Sequence, residues 1–382
     1  METIAFLYDS PLRPEVGGTE RATKLVMDEL ACRGYKTIGL IHTTRKNPDE
    51  YFHNGVKISL RDFLADNNVD IVVNQIAFHY WLLESFLRNG GSEWQKKGGK
   101  IISFMHLDPT PAPKKKIKRY FDDWKQKTIM GKIKRIGFIL SLPWFNYKID
   151  SEYKSSLKFL YQNSDKYVLM SRSFSEIFRK LTGLKDYDKL AYITNMLTFP
   201  KIEEPSILES KNKSVLIVAR LDDEQKNISF MIDVWRKIKK HHGYTLHILG
   251  SGDDEMLLKN KAKGVEDIVF EGQKSPLEYY RKAQIFMMAS PREGWGLTLT
   301  ESLQNGVVPV VLNTSKVFKD IINHKSNGFL AESKGEFMDC VKLLMTNNDI
   351  RDKMAINGLN STNKFSKRTV GDNWENLIKD LS

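Results

Sequence analysis

The sequence predicts an α/β protein with two doubly wound parallel-sheet domains that face each other across a cleft. Three observations lead to this prediction. The chain has 382 residues, which is too long for one ordinary hydrophobic core. Short apolar runs alternate with helix-length segments, a pattern typical of buried strands joined by right-handed βαβ units. The alternation breaks at residues 198–213, where two prolines and no apolar periodicity indicate a linker, and then restarts.

The predicted strands are mostly continuous apolar runs, as expected for strands buried on both faces. In the first half they lie at 3–8, 36–42, 69–75, 100–106, 165–171 and 190–196. In the second half they lie at 214–220, 244–250, 267–272, 285–290 and 307–312. Helices fit between them, for example at Thr19–Arg33, Ile228–His241 and Ser275–Lys282. We therefore expect a first domain over residues 1–200 and a second domain that begins at residue 201.

Composition limits the class of protein and its compartment. Hydrophobic residues make up 41% and charged residues 28%, which is ordinary for a globular chain and argues against disorder. The two cysteines, Cys32 and Cys340, form no disulfide framework, so a reducing compartment such as the cytoplasm is expected. The first residues do not resemble a signal peptide. The longest uncharged apolar stretch, 136–147, is too short to span a bilayer, so we expect a soluble or peripheral protein.

Ligands of open α/β sheets bind beyond the carboxyl ends of the strands, so the residues after each strand are the candidate site. Gly17 and Gly18 follow the first strand and lead into a helix, where backbone N–H groups can approach a phosphate. A plain tight turn is the alternative. His106 ends the fourth strand at the mouth of the cleft, as a functional or a structural histidine.

Two cations follow the first strand of the second domain. Arg220 and Lys226 flank a polar loop that enters a helix near Asn227. Two positive side chains beside a helix N-terminus suit a diphosphate, because arginine binds it bidentately and lysine adds a point charge. A solvated charged loop is the alternative interpretation.

The most informative stretch is "SPREGWGLTLTESL", residues 290–303. Gly294 and Gly296 permit unusual backbone angles and a close ligand approach, and a helix is expected to begin near Leu297 with free N–H groups. Glu301, about one turn into that helix, is placed to accept hydrogen bonds from a vicinal diol such as a ribose, and Glu293 is placed to contact a second polyol. The pattern indicates a nucleotide sugar, and an ordinary acidic first turn is the alternative.

The ordered set of motifs resembles the retaining glycosyltransferases of family 4, which have the GT-B fold with two Rossmann-like domains. The motifs that carry the resemblance span most of the chain: "GGTE" (17–20), His106, "RLDDEQKN" (220–227), "LGSGDD" (249–254), "FEGQ" (270–273), "PREGWGLTLTE" (291–301) and "NGFL" (327–330). The element with two glutamates and its glycines is the most specific of these.

The resemblance implies roles for particular residues. The catalytic and sugar-contacting residues would be His106, Arg220, Lys226 and Glu293. The donor-binding residues would be Gly17, Gly18, Arg220, Lys226, Gly294, Trp295, Gly296, Leu297 and Glu301. The resemblance also implies a donor domain over 201–368 and a last helix over 369–382 that returns to the first domain. Two features depart from the family pattern: Arg220 and Lys226 are one residue further apart than usual, and Asn227 replaces a glycine.

The expected reaction needs neither a metal ion nor another cofactor. Adjacent aspartates occur in the sequence, but no histidine or cysteine lies beside them to indicate a transition-metal site. Fixed cations and helix N-termini can stabilise a departing diphosphate without a metal ion. The resemblance implies a hexosyltransferase that retains configuration and uses UDP-sugar most often, then GDP-sugar. Alternatives are a nucleotide-sugar epimerase or a phosphorylase of the same fold, or a non-catalytic binding protein.

A basic segment at 114–145 is the second distinctive feature. Within 114–136 there are ten basic and two acidic residues, and apolar and aromatic residues recur at helical spacing. This pattern is typical of a helix that lies on an anionic membrane, so we expect peripheral attachment to its cytoplasmic face. The resemblance implies an acceptor site in the first domain, where this segment falls, so a lipid-linked saccharide is the expected acceptor. A helix packed on its own domain is the alternative, and no nucleic-acid motif accompanies the charge. The residues expected to contact the membrane or acceptor are Lys114, Lys115, Lys116, Lys118, Arg119 and Trp124.

Overall fold

The computed structural model describes residues 1–15, 17–43, 50–111, 129–200 and 205–381, with the backbone alone at 129–141 and 205–206. Two sheets carry the fold. The strands are β1 (Thr3–Tyr8), β2 (Lys36–Thr43), β3 (Glu50–His53), β4 (Val56–Ile58), β5 (Val69–Asn74), β6 (Lys100–Met105), β7 (Lys166–Leu169), β8 (Leu190–Tyr192), β9 (Ser214–Val218), β10 (Thr245–Leu249), β11 (Ile268–Gly272), β12 (Ile285–Met288), β13 (Val308–Leu312) and β14 (Phe329–Ala331).

The helices connect these strands in the alternation that the sequence predicts. They are α1 (Gly18–Cys32), α2 (Leu60–Asp66), α3 (Trp81–Phe86), α4 (Ser92–Lys96), α5 (Ile129–Gln162), α6 (Ser175–Thr182), α7 (Asp223–Lys226), α8 (Ile228–Lys237), α9 (Glu255–Ala262), α10 (Leu277–Lys282), α11 (Leu297–Gln304), α12 (Phe318–Ile321), α13 (Lys334–Thr346), α14 (Asn348–Ser361) and α15 (Lys367–Lys379). A short π-helical segment, Leu87–Gly91, joins α3 to α4.

The first sheet has the order β4-β3-β2-β1-β5-β6-β7-β8, and the second has the order β11-β10-β9-β12-β13-β14. Every pairing is parallel except those of β2 with β3 and β3 with β4. The strand order reverses direction between β1 and β5 in the first sheet and between β9 and β12 in the second. Ligands of doubly wound sheets bind beside such switch points, so four loops become candidates for one site.

The central strands are buried on both faces, which explains why they appear in the sequence as continuous apolar runs rather than alternating ones. The side chains from Ile4 to Leu7 in β1 are fully buried, as are Val72 and Val73 in β5. One apolar cluster runs from the first sheet through Trp295 and Phe318 of the second half to Trp374 in α15. A second cluster fills the other face of the second sheet. The prediction of two parallel-sheet α/β domains is confirmed, with an antiparallel hairpin at one edge of the first sheet.

The last helix, α15, packs against the first half of the chain. The Trp374 ring meets the Phe104 ring edge-on at 5.4 Å, and the Arg33 guanidinium lies 2.7 Å from Asp372 and 2.9 Å from Glu375. The chain therefore crosses back after α14 and joins its two halves a second time. The exact domain limits at residues 200 and 368 stay predictions.

Candidate active site between the two sheets

The candidate site lies where the carboxyl edges of the two sheets meet. Residues 289–296, called the donor loop below, connect β12 to α11, and Gly296 takes a left-handed conformation with φ of 88° to start that helix at Leu297. The neighbouring strand connection holds this loop, because the Thr314 hydroxyl donates to the Ser290 carbonyl at 2.6 Å and the Ser315 hydroxyl to the Glu293 carbonyl at 3.3 Å. The helix start expected near Leu297 is thus observed.

Lys226 and Glu293 form an ion pair inside the second domain. The Nζ atom of Lys226 lies 2.6 Å from Oε1 of Glu293, and their side chains are 24% and 13% exposed. Lys226 ends the short helix α7, and Asn227 then turns the chain into α8 with φ of 52°. Asparagine tolerates this left-handed conformation better than most residues, which is why it can replace glycine here.

Arg220 is not drawn into that ion pair. Its guanidinium is exposed and donates to Oε1 of Gln225 at 2.7 Å. Arg220 therefore stands at the rim of the cleft, with a charge free of any carboxylate partner among the contacts described for it, while Lys226 lies deeper. The two cations remain candidates for the same anion, one at the entrance and one beside Glu293.

Glu301 is a buried carboxylate with partners from both halves of the chain. Its side chain is 1% exposed, and Oε1 lies 2.8 Å from Nη1 of Arg21 in α1. The Tyr280 hydroxyl lies 3.2 Å from Oε2. Burial raises the pKa of Glu301, while the Arg21 charge acts in the opposite direction. Burial likewise raises the pKa of Tyr280 far above its usual range.

His106 is buried at the end of β6 and faces the second domain through its backbone. Its Nε2 atom lies 2.6 Å from Oε1 of Gln75, an atom that only accepts, so Nε2 carries the proton. Burial lowers the pKa of His106 to about 3, so the ring is neutral near pH 7. The Nδ1 atom is left as an acceptor without a hydrogen-bond partner among the described residues.

The donor loop touches the His106 segment directly. A Cβ atom on Gly294 would overlap the carbonyl oxygen of His106, so only glycine fits at this distance. Next to it, Nη2 of Arg292 donates to the Asp108 carbonyl at 3.0 Å and also to the Thr110 carbonyl. The two halves of the candidate site are therefore held in register by contacts between backbone and side chain.

Gly17 and Gly18 begin α1 at the opposite wall of the cleft. Gly17 is the N-cap, and a Cβ on Gly18 would lie 3.4 Å from Cδ1 of Leu297, so the first residues of α1 and α11 face each other. The Glu20 carboxylate folds over Gly17. The Trp295 indole is buried edge-on against Phe365, so only the backbone of Trp295 remains a candidate for donor contact.

The basic residues predicted to contact a membrane, Lys114, Lys115, Lys116, Lys118, Arg119 and Trp124, lie outside the described residues. The next part of the same region is described, and there Trp144 and Tyr147 of α5 are 64% and 72% exposed. In the described ranges, no helix combines the length and apolarity that crossing a membrane needs. No group of three potential metal ligands comes together in them either.

Sequence reasoning missed four residues that the structure brings into the site: Arg21, Gln75, Tyr280 and Arg292. Arg21 lies one helical turn after Gly18, and this spacing places it on the face that meets the cleft, so the glycine pair was a usable signal. Arg292 adjoins Glu293 in the sequence. Gln75 and Tyr280 carried no signal, because their roles depend on long-range contacts with His106 and Glu301.

A family comparison adds to these structural features. The fold is GT-B, and residues 198–361 match the family model described as glycosyl transferases group 1. The matched residues include Arg220, Lys226, Glu293 and Glu301.

Particular relatives and structures are similar over different lengths. An uncharacterized glycosyltransferase of Haemophilus influenzae is 29% identical over 44% of this chain and 49% of that protein. The alpha-monoglucosyldiacylglycerol synthase of Acholeplasma laidlawii is 25% identical over 52% of this chain and 51% of that protein. The chain thus spans about half the length of these curated relatives. Anabaena Alr3699/HepE, solved with UDP and glucose, superposes over 100% of both chains with a TM-score of 0.67 and 12% identity.

Proposed function

We propose that this protein is a glycosyltransferase that moves a hexose from a nucleoside-diphosphate sugar to a saccharide acceptor with retention of configuration and without a metal ion. A UDP-sugar is the first candidate donor and a GDP-sugar the second. The proposal is supported by the match of residues 198–361 to glycosyl transferases group 1 and by the names of the similar proteins. A place among the retaining enzymes of family 4 is part of the proposal.

The observation that carries the proposal is the ion pair of Lys226 with Glu293 in the donor loop. In this proposal the Lys226 ammonium, which is positioned by Glu293 of the donor loop, binds a phosphate while the Glu293 carboxylate lies near the sugar. Arg220 at the rim and the N-terminal end of the α11 dipole add positive charge near the same place. This combination fits a sugar diphosphate better than a single phosphate or a neutral sugar.

The charges suggest how the reaction proceeds. The bond between the anomeric carbon and the diphosphate oxygen breaks, and Arg220, Lys226 and the helix N-terminus stabilise the negative charge that develops on the leaving group. An acceptor hydroxyl attacks the anomeric carbon on the face from which the diphosphate departs. Its proton passes to the departing phosphate oxygen, so configuration is retained and no enzymic nucleophile is needed.

His106 acts in this scheme as a neutral hydrogen-bond acceptor. Its protonated Nε2 is held by Gln75, which leaves Nδ1 to accept from a sugar hydroxyl. Because burial keeps the ring uncharged, His106 binds the transferred sugar without exchanging a proton with it near neutral pH. The residue is therefore proposed to orient the sugar rather than to act as a general base.

The test is a donor screen on the purified protein. Nucleoside-diphosphate release is measured for a panel of UDP-, GDP- and ADP-sugars, with and without saccharide acceptors. Replacing Glu293 with Gln is expected to lower the rate about 100-fold or more, since an electrostatic contact to the reacting group is lost. Glu266→Gln, an exposed glutamate of the same domain, is the matched control and should keep the wild-type rate.

The same screen separates the alternative reactions. An epimerase would convert the donor sugar with no acceptor present, and a phosphorylase would require inorganic phosphate as the co-substrate. A non-catalytic binding protein would give no product, and Glu293→Gln would leave its binding function intact. Transfer that depends on both a nucleotide sugar and an acceptor supports the proposal.

We further propose that the acceptor is lipid-linked and that the protein attaches to the cytoplasmic face of a membrane. The support is the net charge of segment 114–136 together with the exposed rings of Trp144 and Tyr147 that follow it in α5. Lys148 lies 5.6 Å from the Trp144 ring centroid, so this exposed surface also combines a cation with an aromatic ring. Anionic lipid headgroups and the acyl boundary suit that combination.

Flotation with anionic vesicles tests the membrane proposal. Neutral replacement of Lys114, Lys115, Lys116, Lys118 and Arg119 should abolish flotation, and Trp144→Ser with Tyr147→Ser should weaken it. The control removes the exposed cations Lys237, Lys239 and Lys240 from the second domain. Equal flotation of the wild type and the variant without the basic cluster would contradict membrane attachment through this segment.

A further inference from the structure

Arg21 forms an ion pair with Glu301 across the cleft, and no motif in the sequence predicts this contact. The guanidinium belongs to α1, one turn after Gly18, and reaches a carboxylate in α11 of the second domain at 2.8 Å. Its side chain is 32% exposed, whereas that of Glu301 is 1% exposed. The cation can therefore move toward solvent, and the carboxylate cannot.

Each oxygen of Glu301 has a side-chain partner. Oε1 accepts from Arg21, and the Tyr280 hydroxyl lies 3.2 Å from Oε2. Glu301 is also the carboxylate that the sequence predicts to accept hydrogen bonds from the ribose, and at 1% exposure a ligand reaches its oxygens only if a neighbouring side chain moves. Tyr280 is fully buried, whereas the Arg21 side chain is 32% exposed, so Arg21 is the neighbour that the ribose displaces.

An anion would be well placed to receive the displaced guanidinium. Gly18 and Leu297, the first residues of α1 and α11, face each other at 3.4 Å, measured from a Cβ built on Gly18 to Cδ1 of Leu297. Two helix N-termini thus converge beside the donor loop. Lys226 is close by as well, because it pairs with Glu293 of that loop. Each of these features favours a negative charge, and a guanidinium binds phosphate bidentately.

We propose that Arg21 is a further donor-binding residue, which exchanges Glu301 for the phosphates of the donor when the nucleotide binds. The proposal rests on the proposed function, since it takes the ribose and the diphosphate as ligands of this cleft. Arg21 pairs with Glu301 before the donor binds and with the phosphates of the donor afterwards. The nucleoside part and the phosphate part of the donor are coupled through one side chain.

The test compares the affinity of uridine with that of UDP, or of guanosine with GDP if the wild type prefers guanine. Only the diphosphate gains a contact from Arg21, while loss of the pair with Glu301 changes the binding of both ligands alike. In Arg21→Gln, the ratio of the dissociation constants, nucleoside over diphosphate, should fall about tenfold or more, because a charge-assisted contact to phosphate is lost. Lys24→Gln removes a cation from the exposed side of the same helix, where Lys24 pairs with Asp28, and should leave the ratio unchanged.

Arg21→Lys covers the case in which the glutamine variant does not fold. Lysine keeps the positive charge beside Glu301 but cannot bind a phosphate bidentately as a guanidinium does. The ratio of dissociation constants should therefore fall by only about threefold. An unchanged ratio in any folded Arg21 variant overturns the inference, even if the affinity for both ligands shifts. Failure of the wild type to bind any UDP, GDP or ADP species would instead contradict the proposed function.

Discussion

Alanine at Gly294 should force the two halves of the candidate site apart. A Cβ there would overlap the His106 carbonyl oxygen and lie 2.9 Å from the His106 carbonyl carbon and 2.7 Å from Cε of Met170. Carbon atoms prefer separations of about 3.5–4.0 Å, so the donor loop and the His106 segment must separate by about 1 Å. Gly294 does not have a left-handed φ, so alanine adds no backbone strain and the effect is steric alone.

The consequences follow from that displacement. A shift of about 1 Å between reacting groups can cost about 100-fold in rate, and we expect a loss of that size in donor turnover. Overpacking should lower the free energy of unfolding by about 1–3 kcal/mol.

Both quantities are measured on one preparation, by nucleoside-diphosphate release and by urea denaturation. Gly335→Ala is the control, because its new Cβ would meet only the Ser333 hydroxyl, at 3.9 Å. A Gly294→Ala protein with wild-type turnover and wild-type stability would refute the reasoning.

Three further predictions concern pH, docking of the last helix and the Asn227 turn. Because burial lowers the pKa of His106 from 6.5 to about 3, the unfolded chain takes up a proton that the folded chain refuses, and stability falls as pH drops from 6.5 toward 3. His106→Gln should therefore flatten the acid dependence of the free energy of unfolding, and an unchanged dependence would exclude this cause. Arg33→Ala should lower the free energy of unfolding by about 1–2 kcal/mol, because it breaks the contacts with Asp372 and Glu375. Arg61→Ala breaks the exposed pair with Glu93 and should change stability little. Equal losses of stability for the two variants in thermal melts would contradict this prediction. Asn227 has a left-handed φ of 52°, which glycine adopts freely and alanine does not. Asn227→Gly should therefore leave the free energy of unfolding unchanged, and Asn227→Ala should lower it by about 1 kcal/mol. Equal stability of the two variants in denaturant would contradict this explanation.

The sequence was most informative about the sheets, because strands buried on both faces leave continuous apolar runs. The sequence was least informative about short strands. The hairpin of β3 and β4 was missed, although Asn54 and Gly55 are the turn signal that such hairpins use, and both have positive φ. The three-residue strand β14 leaves too short a pattern to detect.

Candidate site residues were visible where a local motif positions them. The donor loop, with Glu293, Gly294 and Gly296, follows a strand and starts a helix, so its place in the fold could be inferred from neighbours in the sequence. The long-range partners of Glu301 and His106 could not be inferred. The spacing from Gly18 places Arg21 on the cleft face of α1, but neither its pair with Glu301 nor the contact of Gln75 with His106 leaves a local pattern in the sequence.

Calorimetric titration of the wild type with UDP, GDP and ADP tests the central claim most directly. If Arg220, Lys226 and the start of α11 hold the diphosphate of a nucleotide sugar, at least one of the three nucleotides must bind at one site. That affinity should fall when salt is raised and should fall in Lys226→Gln but not in Lys237→Gln. Absence of binding by all three nucleotides, or equal binding by both lysine variants, would contradict the account.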